Sequence, residues 1–201
     1  MACHIVDLGF WALELEHPTS VEAEVSDRRP ESAPKSSTIR YEFPARGDKP
    51  PVAFTWYDGG RKPDSSLVGG EELSRNGSIL VGDKGTMYVP SEYGSRYVLL
   101  PREQFADYKP PAPTLPRATS ATNEILVAAA HYSEWLNACK GGPPCQSNFE
   151  YASLLNEVVL LGNVAVRTGR RIEWDGPNMR AKNCPEAEIL VKPPMRKGWE
   201  V

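Results

Sequence analysis

Apolar and polar positions recur along this chain with two different periods, and the changes of period mark its elements. At about 100° per residue, the first fifteen residues place His4, Asp7, Leu8, Trp11 and Leu15 on one side of a helix, with Ile5 and Ala12 widening the apolar stripe. That side carries an imidazole, a carboxylate and a large aromatic ring together. His17-Pro18-Thr19 breaks the helical pattern, and a period of two begins. Val21, Ala23 and Val25 alternate with Glu22, Glu24 and Ser26, and Ile39, Tyr41 and Phe43 alternate with Thr38, Arg40 and Glu42. Such alternation predicts strands with one buried and one wet face. A polar loop from Asp27 to Lys35 separates the two, and Pro44 with Gly47-Asp48-Lys49-Pro50 turns the chain after the second. Val52 to Tyr57 is bulky on both faces, the pattern of a central strand covered twice.

Arg61 to Asn76 is polar and glycine-rich, an excursion from the sheet. Ser78 to Val81 and Thr86 to Val89 read as a hairpin around Gly82-Asp83-Lys84-Gly85, whose glycines supply positive φ. That loop lacks the spacing and the following helix of a phosphate cradle. Tyr97 to Leu100 predicts a short strand, and Pro101 to Tyr108 one or two helical turns. Lys109 to Pro116 has proline at every second position on average and must be extended, linking strands to helices across the surface of one domain.

Thr122 to Ala138 predicts an amphipathic helix with Leu126, Ala129, Ser133 and Leu136 near one stripe. His131 and Trp135 lie on another side, next to Glu134; they project into a cleft or pack against a loop, and packing is the favoured reading. Ser147-Asn148-Phe149-Glu150 fits a capping box, Tyr151 to Val166 is apolar nearly all round as a core helix is, and Gly169 follows its end. Arg171 to Asp175 is a last strand, turned by Gly176-Pro177, and a short helix runs from Pro185 through Val191. Trp199 near the end predicts a tail that docks back on the body.

These elements assemble as one α+β domain over residues 1–201, with an open, mainly antiparallel β-sheet of about six to eight strands and helices packed on one face. The other face, carrying Tyr, Thr and Arg, reads as an active-site wall or an oligomer interface. Length and charge narrow the function classes. A chain of 201 residues can bury a sizeable core. A net charge of −3, with only short basic pairs such as Arg28-Arg29, gives no case for nucleic acid. No apolar run approaches the roughly 18 residues of a membrane span and no export signal of the usual form is present, so a cytoplasmic protein is expected. Export stays open, because the first helix begins at full apolar strength with no polar cap, as though cut from something longer. The four cysteines form no metal pattern; Cys139 and Cys145 close a small disulfide or stay free, the free state being favoured. Cys3 beside His4 could be read as a nucleophile paired with a base, but helical neighbours point about 100° apart, which disfavours the pair.

Two stretches carry candidate chemistry. The first is the His4, Asp7 and Trp11 side of the opening helix. The second is Trp56-Tyr57-Asp58-Gly59-Gly60, where aromatic faces suit the C–H surfaces of sugars and a carboxylate suits their hydroxyls. A core tryptophan followed by a turn aspartate is the plainer reading of the same residues. No carboxylate pair is placed as an evident hydrolase acid and base.

Cys3-His4-Ile5-Val6-Asp7, followed by Phe10-Trp11-Ala12-Leu13, resembles the start of the second domain of the Gfo/Idh/MocA oxidoreductases, where a segment D-x-G-x-H-x-x-D opens a helix. Trp56 to Gly60, and the stretch from Ser147 through Gly198-Trp199, are similar to a bacterial branch of that family, so the resemblance covers nearly the whole chain. It implies an oxidoreductase of two domains, with an N-terminal Rossmann domain for NAD or NADP and a C-terminal domain whose open sheet serves the active site and oligomer contacts. On that pattern His4 is the acid/base at a carbinol oxygen of a sugar or cyclitol, and Asp7 orients its imidazole or holds a neighbouring hydroxyl. Trp11, Trp56, Tyr57, Asp58 and His131 are the substrate-contact candidates. Ala2 stands where the family often has glycine, and the family's lysine belongs to the Rossmann half.

This chain has no glycine fingerprint at a strand-to-helix turn to seat a pyrophosphate, so alone it should neither bind NAD(P) tightly nor transfer a hydride. The expectation is a substrate-binding and oligomerisation domain of an NAD(P)-dependent dehydrogenase, met by a Rossmann domain in cis or in trans, and a homo-oligomer through the open sheet face. The alternative is a non-catalytic carbohydrate-binding or dimerisation module built on Trp56, Tyr57 and Asp58.

Overall fold

The structure is a computed structural model that describes residues 1–29, 31–114 and 124–199, the side chains of 124–126 excepted. The chain divides into two compact units, Met1–Phe105 with Leu154–Val201, and Ala106–Ser153. The first unit holds the strands β1 (Ser20–Val25), β2 (Ser37–Phe43), β3 (Val52–Asp58), β4 (Ser78–Gly82), β5 (Gly85–Val89), β6 (Val98–Leu100), β7 (Ile172–Asp175) and β8 (Arg180–Ala181). They form one sheet in the order β3-β2-β1-β7-β8 and another in the order β4-β5-β6. Every strand pairing among the described residues is antiparallel. The fold is α+β with an open antiparallel sheet, but the strands expected in one sheet are divided between two. The excursion after β3 explains the division: it makes a 3-10 turn at Ser65–Val68, and Val68 is buried with Tyr88 and Leu100 in a small core of the second sheet.

Register sorts the five-stranded sheet into two faces, because directly opposed residues share a side. Val21, Tyr41 and Phe54 lie in one row, Ala23, Ile39 and Trp56 in the next. Ile172 opposes Val21 and continues this apolar face into β7. On the reverse, Glu24, Arg40, Glu42 and Glu173 are exposed and leave the sheet open there. β3 is not the doubly covered central strand its composition predicts; among the described residues it pairs with β2 alone, at the sheet edge. Its bulk is divided between Phe54 and Trp56 on the apolar face and a half-exposed Tyr57 on the reverse, and bulk carries no information about pairing.

The helix α1 (Ala2–Ala12) buries Val6 and Phe10 and leaves His4 and Trp11 outside. The expected seam through Leu8, Trp11 and Leu15 is therefore displaced, and Leu15 is buried only beyond the helix end. Apolar residues occur nearly all round this helix, so periodicity alone does not choose the side that the sheet takes. On one flank Cys3 Sγ donates to Asn156 Oδ1 at 3.7 Å, and on another Ser78 Oγ donates to the Ile5 carbonyl at 2.9 Å.

The helix α3 (Phe149–Thr168) begins at Asn148, whose Oδ1 accepts from Tyr151 N at 3.1 Å, so the cap is Asn148 rather than Ser147. Gly169, at φ +63°, follows its last turn. By length and composition this helix could cross a membrane. Its buried row of Leu155, Val158, Leu161, Gly162, Val164 and Ala165 is where it meets the rest of the unit. Gly162 sits over β2 so closely that a Cβ there would lie 2.2 Å from Tyr41 Oη. Burial pushes the Tyr41 phenol above its ordinary range.

One carboxyl ties three elements together. Glu157 Oε1 accepts from His17 Nδ1 at 2.8 Å and from Trp174 Nε1 at 2.6 Å, and its side chain is 8% exposed. Gly176 packs against the His17 ring, where a Cβ would come within 2.1 Å of Cγ.

The second unit carries α2 (Glu124–Cys139), after which Gly142 N donates to the Asn137 carbonyl at 2.9 Å and Gln146 N to Glu134 Oε1 at 2.7 Å. The expected helix start at Thr122, the end of the proline segment at Leu115-Pro116, and the side chain of Leu126 lie outside the described residues. Cys139 and Cys145 are free thiols. Helix α4 (Glu188–Val191) follows a 3-10 turn at Pro185–Ala187. Near the end of the described tail Trp199 is 68% exposed, with the Arg196 guanidinium over its ring at 4.9 Å from the centre.

Gly162→Ala gains helix propensity but must displace the Tyr41 hydroxyl, and the packing effect wins. A loss of about 1–3 kcal/mol in denaturant melts is expected; a gain in stability would show that α3 does not seat on Tyr41. Glu157→Ala strands two donors and should cost about 2–4 kcal/mol, with Glu157→Gln costing less because one acceptor remains. Equal stability of both variants with wild type would refute the tie.

Candidate functional site

His4 stands on the first turn of α1, exposed, with Asp7 half-buried one turn later. Its ring meets that of Tyr93 edge to face, with centroids 5.3 Å apart and planes at 66°. Tyr93 comes from the connection between β5 and β6, a residue that sequence reasoning missed. Hydrogen bonds hold the connection in place: Ser95 N donates to Ser91 Oγ at 2.9 Å, and Asn76 Nδ2 to Glu92 Oε2 at 2.7 Å. Gly94, at φ +64°, lies against α1; a Cβ there would be 3.0 Å from Leu8 Cδ1. The tight turn explains the glycine, and a Tyr-Gly pair in a polar turn between two strands was the available signal. Trp11 is 41% exposed on the same side of α1, about 10 Å along the axis from His4. The result is an exposed surface carrying an imidazole, a phenol and an indole.

The second candidate stretch is split by the sheet. Trp56 and Asp58 lie on the apolar face, while Tyr57 lies on the reverse beside Thr38. Asp58 is occupied in holding its neighbours: its carboxyl accepts from Ser37 N and Ser37 Oγ at 2.7 Å each, and from Trp56 Nε1 at 3.1 Å. The same carboxyl thus joins the end of β3 to Ser37 of β2 and to the half-buried Trp56 indole. Trp56, Tyr41, Phe54 and Ile39 line an open cavity of about 860 Å³ that Val158 and Asn163 of α3 also border. His131 belongs to the second unit, exposed on α2.

The loop from Asp27 to Lys35 borders that cavity and is pinned by one carboxyl. Asp27 accepts from the Lys35 backbone N–H at 3.0 Å, from Ser26 Oγ at 2.7 Å and from the Arg29 guanidinium. These partners, the Lys35 amide first, hold its pKa down at about 2.

Among the described residues no three His, Cys, Asp or Glu side chains are grouped to hold a metal ion. The described strands pair without a parallel βαβ unit, so these residues do not fit a dinucleotide in the doubly wound manner. The class defined here is an α+β protein with an open antiparallel sheet, one polar face, and an exposed histidine site on its first helix. No family model and no curated protein matches the chain.

Because Asp27 has a folded pKa below its ordinary 3.8, its bonds are fully made above about pH 4 and are lost as the pH falls through about 2. The Lys35 amide resonance should therefore titrate with a midpoint near 2. A midpoint at the ordinary carboxylate value would show that Asp27 does not hold the loop.

Proposed function

We propose that this chain is the substrate-binding and oligomerisation domain of an NAD(P)-dependent oxidoreductase acting on a sugar or cyclitol. The observation that carries the reading is the position of His4: a solvent-facing imidazole on the first turn of α1, one turn before Asp7 and against Tyr93. Imidazole exchanges protons near neutral pH, as oxidation of a carbinol to a carbonyl requires of a group at the hydroxyl oxygen. His4 would take that proton, and Asp7 would orient the ring or hold a neighbouring hydroxyl. The dinucleotide would be held by a Rossmann domain, in cis or in trans, since the described residues of this chain offer it no seat. The open reverse face of the five-stranded sheet, with Arg40 among Glu22, Glu24 and Glu42, would serve contacts between copies, and the assembly would work in the cytoplasm. The carbohydrate-module alternative needs Trp56, Tyr57 and Asp58 on one surface; their division between two faces favours the His4 site instead.

The test begins with the genomic frame that precedes the Met1 codon. An uninterrupted frame encoding a G-x-G-x-x-G turn supports the reading, and the assembled enzyme then allows the decisive comparison. His4→Ala should lower kcat about a hundredfold or more with cofactor affinity kept. Turnover near that of wild type, or the lack of any Rossmann partner, would sink the proposal.

A further inference from the structure

The turn between β5 and β6 brings one aromatic ring against the His4 imidazole, and that ring is not explained by packing. Tyr93 is 69% exposed, so it adds little to the core of the second sheet. Its connection is nevertheless well held, by Ser91, by the Asn76–Glu92 bond and by the seat of Gly94 on Leu8. The backbone thus presents the phenol to solvent beside His4 instead of burying it.

We propose that Tyr93 is a substrate-positioning residue of the His4 site, its ring orienting the imidazole and its hydroxyl hydrogen-bonding a second hydroxyl of a cyclic polyol, next to the one His4 serves. The inference rests on reading His4 as the acid/base. Its chemistry follows from the pair. An edge-to-face contact at 5.3 Å restrains both rings without occupying their polar atoms. A phenol hydroxyl both donates and accepts, as a sugar hydroxyl does, and an imidazole nitrogen alongside it engages a neighbouring hydroxyl. A ligand with a single hydroxyl leaves one of the two groups unused, so the site favours vicinal diols on a ring.

The experiment uses the 201-residue chain and the probes myo-inositol and D-glucose. The ring C–H resonances of His4 are assigned with His4→Gln and followed by NMR in wild type, Tyr93→Phe and Tyr93→Leu. The exposure of Tyr93 protects folding, and Tyr93→Phe keeps the ring should the leucine variant fail. The ring-current shift on His4 should persist in Tyr93→Phe and vanish in Tyr93→Leu. Polyol should move the His4 resonance, with apparent affinity about three- to tenfold weaker in Tyr93→Phe and weaker again in Tyr93→Leu. Equal polyol response in all three proteins overturns the role of Tyr93 while leaving His4 as a ligand-contacting group. A His4 resonance that no polyol moves in any of them overturns both.

Discussion

The arrangement of the first unit depends on the carboxyl of Glu157. Its bonds to His17 and Trp174 join α3, the segment that leads from α1 into β1, and strand β7. A buried carboxyl is costly unless donors meet it, and here two ring N–H groups, from His17 and Trp174, converge on Glu157 Oε1. Removing either donor leaves a polar group short of a partner, so each of the three elements holds the others in place. Gly176 belongs to the same constraint, since any side chain there would occupy the space of the His17 imidazole.

The segment that leaves α1 passes through His17, which Glu157 meets at 2.8 Å. Val6 and Phe10 turn inward, and His4 and Trp11 are left facing outward. The second sheet then approaches the same helix from its far side through Ser78 and Gly94, which brings Tyr93 to His4. The candidate site is thus a consequence of the contacts that Gly94 and Ser78 make with α1 at Leu8 and Ile5. Tyr93, largely exposed, is placed by neighbours that are better packed.

The two candidate stretches end with different standing for physical reasons. Asp58 uses its carboxyl to fasten Ser37 and the Trp56 indole, so its geometry serves the sheet edge. His4 has an aromatic neighbour that restrains it and solvent on its open side. Side-chain alternation along β3 already separates Trp56 from Tyr57, because successive residues of a strand point to opposite faces.

Much of the fold was legible without coordinates. The alternation in residues 21–25 and 39–43, the existence of a hairpin after Val81, the long apolar helix ending before Gly169, and the turn at Gly176-Pro177 all follow from local chemistry. So does the placement of His4 and Asp7 one turn apart. The hairpin loop, however, is Asp83-Lys84 alone, with Gly82 and Gly85 paired as strand residues and only Gly85 of the two at positive φ. The edge position of β3, the division into two sheets, the choice of Asn148 as cap, the exposed Trp199 and the buried side of α1 required the tertiary structure. Each depends on which distant residue arrives as a partner, and period and composition carry no such information. Tyr93 is the clearest case: the sequence by itself determined a turn with a tyrosine and a glycine, and only the packing of β4 and Gly94 on α1 decided that its ring would meet an imidazole from the other end of the unit.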